Sequence, residues 1–263
     1  DIDVIGYGLT PENGLILQNQ PGFKLVQGSS TSEVILAMNH SRSPFHDRRV
    51  RQAITHAINR PLVIEAAMFG FGIPIGSHMT PAEPYYLDLT DHTPYDPERA
   101  RALLAEAGYP QGFTATLALP APYEYARRAG EVVAEQLRQV GIQLRLEIVE
   151  WTTWLARIFN QAEYDMTIIG HVEPLDIGIY GNPNYYFRYD SPVVQELLNQ
   201  VTATFDEGAR AQLYGQIQRQ IADDAVNVFL FALPYLAAMR ADVHGWWVHQ
   251  PTVALDVSEV FFR

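Results

Sequence analysis

The order of elements along the chain predicts an α/β fold, in which strands and amphipathic helices alternate in one layered body. Three observations carry that reading. Residues 114–119 read as a strand, and Ala126, Ala129, Val133, Leu137 and Val140 then recur at helical spacing up to Gly141. Residues 142–149 alternate again, which completes a β-α-β unit. Ahead of it, Asp96-Pro97-Glu98 supplies a helix cap, a proline for the first turn and an acid for the helix dipole. Ala100, Leu103, Leu104 and Ala107 form the stripe of that helix, and Gly108 ends it. Beyond the unit, Met166-Thr167-Ile168-Ile169 is an apolar run suited to a strand buried on both faces.

The remaining elements follow from the amino terminus. Residues 1–5 alternate like a short strand, Thr10-Pro11-Glu12 opens a small helix, and residues 24–27 and 33–39 are further strands. Val50, Ala53, Ile54, Ala57 and Ile58 mark a helix from Asp47, and Asn59-Arg60-Pro61 restarts a second one. Residues 70–86 are rich in glycine and proline at their start and predict an ordered surface loop. Trp154, Leu155 and Ile158 form a short amphipathic helix. Asp190-Ser191-Pro192 and Asp206 open two more, and residues 226–233 read as a strand closed by Pro234. The tail holding Trp246-Trp247 is too small to fold alone and needs a partner surface, for which residues 1 to about 30 are the candidate.

Composition narrows the functional classes. With 48% hydrophobic and 18% charged residues the 263-residue chain is globular rather than disordered. A formal net charge of −12 repels phosphate backbones, so no nucleic-acid partner is expected. No uninterrupted apolar run reaches the roughly 18 residues that span a bilayer. The absence of cysteine removes disulfides, thiolate metal sites and thiol nucleophiles. No G-x-S-x-G, G-x-G-x-x-G or P-loop occurs, so neither an enzyme nor a cofactor is expected.

Four segments, in order and spacing, resemble the family 5 extracellular solute-binding proteins, which include oligopeptide-, dipeptide- and nickel-binding proteins of bacterial importers. They are Pro44-Phe45-His46-Asp47-Arg48-Arg49-Val50-Arg51-Gln52-Ala53 with Ala57-Ile58-Asn59-Arg60, and Tyr95-Asp96-Pro97-Glu98 running to Leu103-Leu104-Ala105-Glu106-Ala107-Gly108-Tyr109-Pro110. The others are Ala134-Glu135-Gln136-Leu137 through Val140-Gly141-Ile142 with Glu150-Trp151, and Tyr164-Asp165-Met166 leading into Gly170. The resemblance implies a type II periplasmic-binding-protein lobe, with a mixed sheet flanked by helices. It also implies that residues 1–36 and 234–263 belong with a first lobe lying upstream, and that residues 37–233 form the second lobe. A peptide-like or other small solute would be held between the lobes in the periplasm and passed to the permease subunits of an ABC transporter. The same fold also serves as the ligand-sensing domain of transcription regulators, which is the alternative.

In peptide-binding members the strand equivalent to residues 165–169 is followed by Gly-Trp and, three residues beyond the Trp, by an Asp that pairs with the ligand's ammonium. Here the segment reads Gly170-His171-Val172-Glu173-Pro174-Leu175-Asp176, with His replacing Trp and Pro in the acidic position. The resemblance therefore points to His171, Glu173 and Asp176 as ligand-facing, with Glu173 or Asp176 supplying the anion from a shifted loop. Both acids are expected to tune affinity rather than stability; the alternative is that they are solvated loop acids or backbone caps. His171, Glu173 and Asp176 can also be read as metal ligands, but three residues without helix spacing do not complete a site, and no metal is assigned. Tyr125 falls where oligopeptide binders meet the far end of the ligand, whereas Arg127 and Arg128 read as a solvated charged face. Tyr180 begins an aromatic run with Tyr185, Tyr186, Phe187 and Tyr189 that is dense enough to line a pocket or to pack beneath the chain.

Overall fold

The computed structural model describes residues 2–249 and 256–263. In chain order the elements begin with β1 (Val4–Ile5), α1 (Pro11–Gln18), β2 (Phe23–Gly28), β3 (Glu33–Met38), α2 (Arg48–His56), α3 (Arg60–Met68) and β4 (Ile73–Pro74). There follow α4 (Pro97–Glu106), β5 (Thr114–Pro120), α5 (Glu124–Arg138), β6 (Gln143–Val149), α6 (Trp151–Thr153), which continues as a wider π-helical stretch over Trp154–Asn160, and β7 (Met166–His171). A 3-10 turn (Asp176–Gly181) precedes α7 (Pro192–Ala203), α8 (Glu207–Asp223), β8 (Asn227–Ala232), β9 (Tyr235–Arg240), β10 (Val243–His244) and β11 (Phe261–Phe262).

Helix starts follow the side-chain chemistry of their first residues. Asp47 accepts a hydrogen bond from the Arg49 amide, Asn59 from Leu62, Asp96 from Arg99, Ser191 from Val194 and Asp206 from Ala209. Each satisfies an amide that the helix leaves without an internal partner. The family-like segments at residues 44–60 and 95–110 are thus cap and packing sequences. Arg51 extends this role: its buried guanidinium donates to the carbonyls of Phe45, His46, Asp224 and Ala225, tying the chain before α2 to the turn after α8.

Six strands form a mixed sheet in the order β4-β8-β3-β7-β5-β6. β5 runs parallel to β6 and β7, whereas β3 is antiparallel to both β7 and β8. β3 is buried along its whole length. Its Val34, Leu36 and Met38 face a core shared with α2 to α5, and Ile35 and Ala37 face a second core under α7 and α8. That alternation places helices on both sides of one sheet, as the sequence predicts.

A second, three-stranded antiparallel sheet has the order β1-β9-β2, and β10 pairs with β11. The chain leaves the large sheet at Ala232 and enters the small one at Tyr235, so the tail does find its partner in the first residues. The tail is more regular than a loop, because β9 pairs along its full length with β2. The expected limit of the first segment, residue 36, falls inside β3; strand pairing puts the change of sheet between Gly28 and Glu33. Trp246 packs within the terminal sheet, where its indole N–H donates to the Tyr235 hydroxyl at 2.8 Å. Residues 70–86 are also corrected. Ile75 to Thr80 are buried rather than on the surface, with Ile75 and Met79 filling the second core.

Candidate functional site

The two sheets enclose a cleft of about 450 Å3. One wall comes from the α/β body, with Pro122, Tyr125, Arg128 and Val172; the other comes from the terminal segments, with Tyr7, Thr10 and Tyr235. Arg128 reaches across it. Its guanidinium pairs with Glu124 one turn earlier on α5 at 2.8 Å and with Glu12 on α1. Arg128 is therefore an inter-wall tie, where the sequence predicts a solvated charge.

Tyr125 contributes its ring to the cleft while its hydroxyl serves the backbone. β5 pairs with β7 only as far as Thr167, so the later amides on that edge lack a strand partner. Gly170 donates its N–H to the Tyr125 hydroxyl at 3.0 Å. Gly170 has no side chain for a reason, since a Cβ there would lie 2.9 Å from that hydroxyl oxygen.

His171 and Asp176 come together in a buried polar cluster behind the cleft wall. Glu33 opens β3 directly opposite His171, which closes β7, so both side chains leave the sheet side by side. His78 comes in from the buried part of the 70–86 segment, and its Nε2 lies 2.9 Å from Glu33 Oε1 and 2.7 Å from Asp176 Oδ1. His171 Nδ1 lies 3.2 Å from Asp176 Oδ2. The far ring nitrogens meet tyrosine hydroxyls: His78 Nδ1 is 3.0 Å from Tyr180, and His171 Nε2 is 3.1 Å from Tyr186. Tyr180 also accepts from the Asn227 amide at 3.1 Å.

Electrostatics in this cluster are set by burial and by the pairing that opposes it. Burial works against a charged imidazole, but Glu33 and Asp176 outweigh it and push His78 up to about 10. The Glu33 carboxyl is raised by burial against the pull of His78, whereas the two histidines hold Asp176 well below the usual carboxylate range despite its own burial. Glu83 fastens the surroundings, accepting from the amides of Thr80 at 2.7 Å and Leu175 at 3.0 Å. Leu175 is left-handed, with φ of 57°, an uncommon conformation for a branched residue that this contact helps to hold.

The five residues singled out from the sequence therefore divide. Tyr125 lines the cleft, and Glu173 sits exposed on the loop beside Val172. His171 and Asp176 turn inward to the cluster, and Tyr180 is fully buried beneath it, away from the cleft. Asp176 is thus bonded to two histidines rather than turned to the cleft. Glu33 and His78 were missed. The only sequence signals for them were an acid at the head of an apolar strand and a histidine in a segment that reads as loop.

A mixed sheet covered by helices on both faces, facing a second sheet across a cleft, is the architecture of a lobe of the type II periplasmic-binding-protein fold. The chain belongs to the bacterial extracellular solute-binding proteins, family 5, whose model, described as "Bacterial extracellular solute-binding proteins, family 5 Middle", matches residues 1–191. Among curated relatives, the dipeptide-binding protein of Escherichia coli K12 is 30% identical over 234 residues, 81% of this chain and 42% of its own length. The glutathione-binding protein GsiB of the same strain is 25% identical over 257 residues, 92% of this chain and 50% of its own length. The chain thus spans about half the length of the curated relatives it matches. Among solved structures, the oligopeptide-binding protein AppA of Bacillus subtilis, in complex with a nonapeptide, superposes with a TM-score of 0.87 at 21% identity. That match covers 100% of this chain and 56% of AppA. A peptide-binding protein from Clostridium difficile described as putative reaches 0.90 at 20% identity, covering 100% and 57% respectively. At these identities the structures speak for the fold alone.

Proposed function

We propose that this chain is the second lobe, with the crossing segments, of an extracytoplasmic solute-binding protein that captures a small peptide-like solute for an ABC importer. The observation that carries the reading is the cleft of about 450 Å3 between the large sheet's loops and the terminal sheet. Its aromatic and aliphatic walls carry a few polar groups, the usual make-up of a small-molecule site. On this reading β1, α1, β2, β9, β10 and β11 belong to a first lobe whose remainder lies upstream, and closure of the lobes buries the solute. Permease subunits in the membrane would receive it. The dipeptide- and glutathione-binding relatives favour a short peptide as cargo, and they favour delivery over the sensor role.

Within this scheme Glu173 is the acid free to meet a ligand ammonium, because Asp176 is committed to two histidines. A thermal-shift screen of the full-length protein against defined di- and tripeptide pools tests the proposal. We expect a concentration-dependent rise in Tm for at least one pool, and its loss in Ser32→Trp, which puts a bulky ring on the cleft lining. No shift with any pool, or the same shift in Ser32→Trp, would count against a peptide site there.

A further inference from the structure

The cluster behind the cleft wall sets two buried carboxyl groups against two histidines. Among the described residues, Glu33 and Asp176 have ion-pair partners only in His78 and His171, with no lysine or arginine beside them. One atom is left over. Glu33 Oε2 is buried and has no hydrogen-bond partner among the described residues, although the residue as a whole is 1% exposed. A buried carboxylate oxygen without a partner is costly to keep.

Donor geometry says what would fit. One nitrogen each from His78 and His171 and a carboxylate oxygen of Asp176 lie within 4.8 Å of one another. The His78 contacts to Asp176 and Glu33, at 2.7 and 2.9 Å, are the spacing of hydrogen-bonded partners. Ligands of one tetrahedral zinc ion stand about 3.3 Å apart, given metal–ligand bonds of about 2.0–2.2 Å. The two His78 contacts would need to open by a few tenths of an ångström and the wider pairs of the group to close by up to about 1.5 Å, while Glu33 adjoins that group of three at His78. Outer contacts fit as well: each histidine has its second ring nitrogen at a tyrosine hydroxyl, Tyr180 or Tyr186, the arrangement that fixes the tautomer of a metal-binding imidazole.

We propose that His78, His171 and Asp176 bind a first-row divalent cation of the zinc class, and that Glu33, which adjoins them at His78, turns its unpartnered oxygen in as the fourth ligand. The four ligands come from the start of β3, the end of β7, the 3-10 turn and the buried 75–80 segment. Bound metal therefore staples these segments directly behind Val172, which lines the solute cleft. With four protein ligands and almost no solvent access the site is structural, and it is separate from the place where solute binds. This inference does not rest on the identity of the solute.

The test uses the full-length protein, stripped with chelator and then equilibrated with zinc or cobalt(II). We expect about one equivalent of zinc to survive gel filtration, by elemental analysis, and cobalt to give the intense visible bands of a four-coordinate ion. We also expect a rise of several degrees in Tm on zinc addition, and all three signals to fall away in Asp176→Asn/His171→Gln. Should that double variant fail to fold, the cobalt spectrum of the unaltered protein still decides. Zinc retention below a tenth of an equivalent, a six-coordinate cobalt spectrum, or undiminished uptake by a folded double variant would overturn the site. A proton-held network of the same four side chains would then remain.

Discussion

Replacing Tyr125 with Phe removes one oxygen atom and tests what that residue does. The ring, which packs against the helix-side core and lines the cleft, stays in place. What is lost is the acceptor for the Gly170 N–H, 3.0 Å away, at the point where β7 has outrun its pairing with β5. An amide left without a partner costs about 1–3 kcal/mol when buried. Gly170 is only partly buried and adjoins the cleft, so water can approach and the lower half of that range applies. We expect a loss of about 1–1.5 kcal/mol in urea unfolding, and a drop in Tm of roughly 2–6 °C for a chain of this size. Hydrogen exchange at Gly170 should quicken with it. Ligand affinity should change by no more than about threefold, because the apolar wall is intact, whereas Tyr125→Ala should weaken binding further. Unaltered stability together with a large loss of affinity would refute this reasoning and make the hydroxyl a ligand contact.

Other parts of the molecule give equally definite expectations. Arg51→Met should destabilise by about 3–5 kcal/mol in chemical denaturation, since it strips donors from carbonyls before α2 and after α8; a cost below about 1 kcal/mol would contradict that role. His40 is held neutral by burial and by the charge of Arg51, which push it down to about 3, so it stabilises the fold above its unfolded pKa near 6.5 and loses that contribution as pH falls toward 3. Discounting for partial exposure of the ring, its share between pH 6.5 and 4.5 is about 1–2 kcal/mol, and His40→Gln should flatten the acid slope of stability by that amount; parallel slopes would exclude it. Glu173→Gln should weaken a cationic ligand roughly ten- to a hundredfold with Tm unchanged, whereas Asp176→Asn should lower Tm in the absence of ligand. Equal effects of the two on Tm would erase the distinction drawn between them.

Most of the fold was legible because it is written locally. The caps at Asp47, Asn59, Asp96, Ser191 and Asp206 are side chains that bond to amides two or three residues away. Apolar spacing between them then fixes which face is buried. What escaped depends on contacts distant in sequence. Residues 75–80 look like surface because glycine and proline dominate the approach to them, yet Ser77 and Thr80 are buried with their hydroxyls bonded to Gln218 and to the Ser30 carbonyl. β9 reads as tail because nothing in residues 235–240 announces that they pair with residues 23–28.

The same limit governs the candidate site. His171, Asp176 and Tyr180 were singled out from one short stretch of sequence, and the structure does bring them to one place, but it turns them away from the cleft. Their partners Glu33 and His78 lie far off in the chain, and only the register that sets Glu33 opposite His171 makes the cluster visible. Tyr125 was found because it stands at the start of a helix beside the strand ends. That its hydroxyl belongs to Gly170 follows from where β5 pairing stops, which no local pattern reveals.

The central claim is that solute binds between the α/β body and the terminal sheet, touching both. Hydrogen-exchange mass spectrometry on the full-length protein, with and without a peptide that raises its Tm, tests this most directly. The account predicts slowed exchange in both walls at once, in residues 7–12 and 233–236 on one side and 122–128 and 170–173 on the other. Protection confined to one wall, or centred on the far face around α7 and α8, would contradict it.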